Sequence, residues 1–259
     1  MLYNFHTHTY RCSHATGTER EYIERSIEGG IKYMGFSDHA PFRFPDGHES
    51  YYRVPMDMAE EYVAAIGKLR DEYKDKIEIH TGFEMEYYPK YFDEMLEIAK
   101  NCGAEYLIMG QHFIYNEYPN GKSAFYDTDS TDDLNEFVFC VSSAIKSGCF
   151  TYIAHPDNIK YTGSKEIYAR EMRKICVLSR EYNVPLELNL LGIRSGRNYP
   201  NTDFWKMAAE EKSPVVFGMD AHDAYNAYDA DSVVKAEKLV EQLGLNYIGM
   251  PKLIDIQRL

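Results

Sequence analysis

Imidazoles and carboxylates recur at the ends of apolar runs along this chain. His6 and His8 close the run Leu2-Tyr3-Asn4-Phe5, and His14 follows shortly after. Further on come Asp38-His39, Glu84, His112, His155 and Asp220-Ala221-His222, each behind its own apolar run. Seven of the nine histidines belong to this series, and only His48 and His80 stand outside it. A His-x-His pair on a strand puts both rings on one face, because alternate strand residues share a side. Nitrogen and carboxylate oxygen are the donors of Zn, Mn and Fe sites, and an ordinary fold has no need of histidines at so many strand ends. The series predicts a distributed metal centre.

The elements that must position these residues alternate regularly. Strands are expected near Leu2–His6, Ile31–Ser37, Ile77–Phe83, Tyr106–Gly110, Phe150–Ala154, Pro185–Asn189 and Val215–Met219, with a further short one at Tyr247–Met250. Between them the spacing of apolar residues predicts helices over Glu19–Glu28, Met56–Tyr73, Tyr91–Lys100, Ser130–Ser147, Ser164–Tyr182, Thr202–Glu211 and Ser232–Leu243. No linker or composition break interrupts the alternation, so residues 1–259 read as one α/β domain with parallel strands. Every candidate ligand except His14 falls at the carboxyl end of a strand, where (β/α) barrels build active sites. A closed barrel is favoured over an open doubly wound sheet because ligands from the whole sequence must converge.

The balance of charge limits the partners. Twenty-eight basic against 41 acidic side chains give a net charge of −13, which argues against a broad nucleic-acid interface. A small anionic substrate is still compatible, since metal ions and a few arginines make a local positive pocket. The five cysteines form no C-x-x-C pair and read as reduced thiols of a cytoplasmic protein. No signal sequence or membrane-spanning apolar run is visible.

In this order, these residues resemble the PHP family, the polymerase and histidinol phosphatase phosphoesterases. His6-Thr7-His8, Asp38-His39, His155-Pro156 and Asp220-Ala221-His222 match its four motifs, and Glu84 and His112 fall where the family places ligands. The length, the His155-Pro156-Asp157 segment and the loop Gly192-Ile193-Arg194-Ser195-Gly196-Arg197 ahead of Tyr199-Pro200 are most similar to the monofunctional histidinol-phosphate phosphatases. The resemblance implies a distorted (β/α)7 barrel with three divalent ions (Zn, Fe or Mn) and hydrolysis of L-histidinol phosphate in histidine biosynthesis. It implies that His6, His8, Glu84 and Asp220 surround one ion, His14, His39 and His222 a second, and Glu84, His112 and His155 a third, with Glu84 as a bridge.

Such ions would activate a bridging hydroxide as nucleophile and neutralise the phosphoryl oxygens. Arg194, Ser195 and Arg197 are candidates to fork onto phosphate, with Lys160 a further cation. Asp157, Asp220 and His222 are alternative proton donors to the leaving alcohol. Glu86 is either a support for this centre or a solvated carboxylate, and Tyr115, Tyr118 and Tyr126 either line a ring pocket or pack under loops. Rival functions are a PHP phosphoesterase for another ester, such as a nucleotide or phosphotyrosine, and a catalytically silent PHP binding module.

Overall fold

A computed structural model describes all 259 residues. Strands β1 (Tyr3–Asn4), β2 (Tyr33–Phe36), β3 (Glu78–Met85) and β4 (Tyr106–Met109) form one parallel sheet in sequence order. A second parallel sheet holds β5 (Leu186–Asn189), β6 (Pro214–Gly218) and β7 (Asn246–Tyr247). Around them lie α1 (Glu19–Glu28), α2 (Ala59–Tyr73), α3 (Phe92–Asn101), α4 (Thr131–Ser147), α5 (Lys165–Tyr182), α6 (Leu190–Ser195), α7 (Thr202–Glu211) and α8 (Ala230–Leu243).

Isolated bridges join the two sheets into a distorted barrel. The predicted strand at Phe150–Ala154 is reduced to one paired residue, Ile153, bridged to Met109 on one side and Leu186 on the other. It is a true stave nonetheless, because Ala154 N–H donates to Met109 at 2.7 Å and Ile153 N–H to Pro185 at 2.9 Å. On the far side the ring closes between Thr7 and Ala221, where His8 N–H donates to the Ala221 carbonyl at 2.9 Å. β7 pairs with the foot of β6 at Pro214 and Val215, so β1 meets the β6 segment in backbone pairing only beyond its top. Lower down, side chains fill the gap: Asn4 Oδ1 accepts from Met219 N–H at 3.0 Å, and Tyr3 Oη from Phe217 N–H at 2.9 Å.

The interior of the ring is packed with Tyr3, Phe5, Tyr106, Ile108, Tyr152, Ala154 and Val216, drawn from staves that are not all neighbours. This plug sits beneath the candidate ligands and leaves them only the carboxyl ends of the staves. A larger cluster packs the helices on the outside. Caps set the helix starts: Thr18 and Glu21 form a reciprocal capping box on α1, and Ser130 caps α4 as its sequence position predicts. Asn201 caps α7, which spans Thr202–Glu211 as expected, by accepting from Asp203 and Phe204 N–H. The basic stretch after Asn189, expected as a loop, begins with the short helix α6, because the Asn189 side chain accepts from Gly192 N–H at 3.0 Å and caps it.

Candidate metal centre

Glu84 is the meeting point of the site. It arrives at the end of β3, 1% exposed, and Gly110 opposite has no side chain to collide with its carboxylate. Its Oε2 lies 3.6 Å from His6 Nε2, 3.4 Å from His8 Nε2 and 3.2 Å from His39 Nδ1. Its Oε1 lies 2.9 Å from His155 Nε2 and 3.4 Å from His112 Nε2. Across the ring, Asp220 Oδ1 is 3.5 Å from both His6 Nε2 and His8 Nε2 and 3.2 Å from His222 Nδ1. His222 Nε2 in turn stands 3.0 Å from His14 Nε2.

Apart from His155 to Glu84 and His222 to His14, which are within hydrogen-bond range, these separations suit a shared ion better than direct hydrogen bonds. Two donors held about 2.1 Å from one ion at tetrahedral angles are about 3.4 Å apart. His6 Nε2, both nitrogens of His8 and His39 Nδ1 are buried without a hydrogen-bond partner, although carboxylate oxygens lie close by. Buried polar atoms left without partners are costly, and three of these, His6 Nε2, His8 Nε2 and His39 Nδ1, converge on Glu84 Oε2, which fits a cation; His8 Nδ1 instead faces Asp38 at 3.9 Å. Other ring nitrogens are anchored from behind: His6 Nδ1 to Glu187 at 2.8 Å, His112 Nδ1 to Glu86 at 2.7 Å, His14 Nδ1 to the Cys12 carbonyl at 2.7 Å. Such outer partners are characteristic of metal-binding imidazoles.

Donor atoms close enough to share an ion come from His6, His8 and Glu84, from His8, His39 and His222, from His6, His155 and Asp220, and from His39, Glu84 and His112. Eight of the nine expected ligands fall in these groups, and His14 joins them only through His222, 3.0 Å away; His6, His8 and His39 each contribute to more groups than the family grouping assigns them.

Burial and charge set the protonation of the site. Burial pushes His8 down to about 3, with the neighbouring His222 acting the same way, and burial likewise depresses His39. Both rings are neutral, with lone pairs to offer. Burial also opposes charge on His112, yet Glu84 and Glu86 lift it to about 10. Against the same penalty, Glu187, Asp220 and Glu84 raise His6. Burial would raise Glu84 and Asp220, but the surrounding imidazoles hold both carboxyls well below their ordinary range. The carboxylates thus favour positive charge at His6 and His112, a role that a divalent cation would take over.

Two candidate ligands hold uncommon backbone. His155 has φ 31° and Asp220 φ 47°, in the left-handed region that non-glycine residues rarely adopt. Asp220 is supported on three sides. Arg194 donates to the Met219 and Asp220 carbonyls at 2.7 Å each, Asn189 Nδ2 donates to Asp220 Oδ2 at 3.1 Å, and Asn4 accepts from Met219 N–H.

The cleft above the ligands has a volume of about 340 Å³, and Phe125, Leu191, Arg197 and Tyr199 complete its wall. Arg197 donates to Tyr199 Oη at 2.9 Å. Ten of the twelve arginines are in ion pairs with carboxylates; Arg194 and Arg197 are the two that are not. Of the other phosphate candidates, Arg194 is turned to backbone carbonyls, Ser195 is exposed outside the cleft lining, and Lys160 pairs with Asp127 at 2.8 Å. Asp220 and His222 line the cleft, whereas Asp157 accepts from Asn201 N–H at 2.5 Å and Trp205 Nε1 at 2.9 Å and serves the start of α7.

Tyr115 and Tyr118 bond Asp133 and Asp46, and Tyr126 is exposed; the rings beside the ligands are Tyr51, Tyr52, Phe113 and Phe125. Outside the series, His48 stacks on Tyr118, and His80 lies between Glu78 and Glu105.

Sequence reasoning overlooked the supports. Glu187 is fully buried, and a single acid inside Leu186–Asn189 was its signal. Glu86 resolves as a buried support: Arg53 donates to it at 2.5 Å and also to Glu117, which receives Ser50 Oγ at 2.6 Å. Nothing local marks Arg53 and Glu117, 64 residues apart, as partners.

A family model for the PHP domain matches residues 4–190. A Deinococcus radiodurans protein named "Probable histidinol-phosphatase" is 28% identical over 229 residues, covering 85% of this chain and 86% of the relative. The histidinol-phosphatase of Bacillus subtilis is 25% identical over 260 residues, covering 87% of this chain and 96% of the relative. Among solved structures, the histidinol phosphate phosphatase of Lactococcus lactis, complexed with zinc, L-histidinol and phosphate, superposes with a TM-score of 0.75. The two chains share 19% identity over 99% of this chain and 97% of the other, and the likeness is one of fold.

Proposed function

The chain belongs to the PHP domain family, and on that footing we propose that it is a metal-dependent phosphatase that hydrolyses L-histidinol phosphate to L-histidinol and phosphate in histidine biosynthesis. The observation that carries the metal-dependent part is Glu84, whose two oxygens face five imidazoles from four separate staves. The choice of substrate is supported by the two relatives, which align over most of their lengths.

We assign His6, His8, His14, His39, Glu84, His112, His155, Asp220 and His222 to hold three divalent ions. Ions bound there supply charge neutralisation and acidify water. The remaining work falls to the chain. Arg197 has no carboxylate partner, and Tyr199 orients its guanidinium at the cleft wall, so it is free to fork onto phosphoryl oxygens. Phe125 and Leu191 keep bulk water from the ester. In the reaction water forms the new P–O bond, the ester P–O bond breaks, and the leaving alcohol takes up a proton. Asp220 is held ionised, which suits cation binding; His222, with a side chain 24% exposed, is the remaining candidate on the cleft in contact with solvent protons. On this reading residues 1–259 act as one unit. Five free cysteines support a reducing, cytoplasmic setting, and no helix is long and apolar enough to cross a membrane.

Phosphate release from L-histidinol phosphate, a nucleoside monophosphate, phosphotyrosine and an aryl phosphate, with Zn, Mn or Fe restored, tests this. A preference in kcat/KM for histidinol phosphate of several orders of magnitude is expected. Uniformly low turnover would retain the hydrolase and discard the substrate, and metal binding without turnover would leave a silent module.

A further inference from the structure

Behind Arg197 the surface opens into a groove of about 420 Å³ between the α6–Tyr199 segment and α8. Lys235 and Lys238 line it from α8, and Arg197 and Tyr199 belong both to this groove and to the cleft over Glu84. No carboxylate is among its lining residues, in a chain of net charge −13. Neither lysine forms an ion pair, although Asp231 and Glu241 lie one turn away on the same helix. Three cations without carboxylate partners thus lead along one continuous surface to the ligand cluster.

We propose that this groove is an approach and holding site for small phosphate dianions, from which the ester passes Arg197 into the cleft. The inference rests on reading the cleft as a phosphatase site. Its physical basis is long-range attraction. Two lysines near the mouth draw a dianion toward the cleft against the repulsion of an acidic protein, and the effect fades as salt shortens the screening length to about 8 Å and below. Contact with the reacting atoms is unnecessary, so the lysines act by position and charge alone.

The test is the double variant Lys235→Glu/Lys238→Glu, at exposed positions of α8, with circular dichroism to check that it is folded. Its control is Lys32→Glu/Lys74→Glu, with the same change of net charge at exposed positions beside the starts of β2 and β3, away from the cleft. Calorimetric binding of inorganic phosphate to the metal-loaded protein and kcat/KM for the ester are both measured, at about 20 mM and 500 mM salt. The groove variant should lose about tenfold in both quantities at low salt and less than about twofold at high salt, while the control stays within twofold throughout. Equal losses in the two variants, or none in the first, overturn the proposal. If the wild-type protein binds phosphate but hydrolyses no ester, the phosphatase reading fails, and calorimetry alone still decides the groove.

Discussion

Arg194 grips Asp220 by its backbone, with Nη2 donating to the Asp220 carbonyl and Nη1 to that of Met219, both at 2.7 Å. The planar fork spans two successive carbonyls and fixes the left-handed turn from which the carboxylate points at His6 and His8. Lysine cannot reproduce the fork. Arg194→Lys should therefore weaken zinc binding by about 10- to 100-fold, the usual effect of losing an outer partner. Competition with a chelator measures it; wild-type affinity would show that Asn189 and Asn4 hold Asp220 unaided.

Glu84 faces imidazoles on both sides, so Glu84→Gln removes a ligand from more than one group. Metal analysis after dialysis should find fewer ions per chain, and phosphatase activity should fall by more than about 100-fold, beyond what outer partners cost. Circular dichroism should still report a folded protein. Full metal content would remove Glu84 from the centre.

Arg53 is 2% exposed and bonds Glu86, Glu117 and the Ala40 carbonyl. Arg53→Ala leaves two buried carboxylates without their cation, and denaturant unfolding should show a loss of about 3–5 kcal/mol. A loss below about 1 kcal/mol would mean that water reaches both acids.

His80 lies far from the centre, between Glu105 at 2.8 Å and Glu78 at 2.9 Å. Burial acts to lower its pKa, but the two carboxylates outweigh it and raise it. A raised imidazole stabilises the fold fully below its unfolded value, about 6.5, and that contribution disappears as pH rises through the folded value. The stability difference between wild type and His80→Gln should therefore be larger at pH 6 than at pH 8.5, by less than about 1 kcal/mol. Urea unfolding at the two pH values gives the comparison, and a constant difference refutes it.

The candidate ligands were legible in the sequence because all but His14 follow apolar runs, and strand ends are what a barrel gathers. The barrel itself followed from the same alternation. What resisted reading depends on partners distant in the chain. Arg194 and Arg197 are three residues apart, yet Arg194, in the last turn of α6, turns inward to the Met219 and Asp220 carbonyls just past β6, while Arg197, beyond the helix, lies at the cleft, and the sequence did not show that a helix ends between them. Glu86 was ambiguous until Arg53 stood beside it. Lys160 follows a ligand in sequence but points to Asp127, because the short Ile153 stave ends and the chain turns away. Phe150–Ala154 looked like a full strand since its residues are buried on all sides, which composition cannot distinguish from pairing along its length.

The bridge between Thr7 and Ala221 has a consequence for how the protein is made. It joins segments more than two hundred residues apart, and the first carries His6 and His8 while the second carries Asp220 and His222. During synthesis the imidazoles of His6 and His8 emerge before Asp220 and wait, without this acidic counterpart, until some two hundred further residues have left the ribosome. Donor groups such as His6, His8 and Glu84 are complete well before residue 220, but a chain interrupted before that residue carries an incomplete centre however well its first staves have folded.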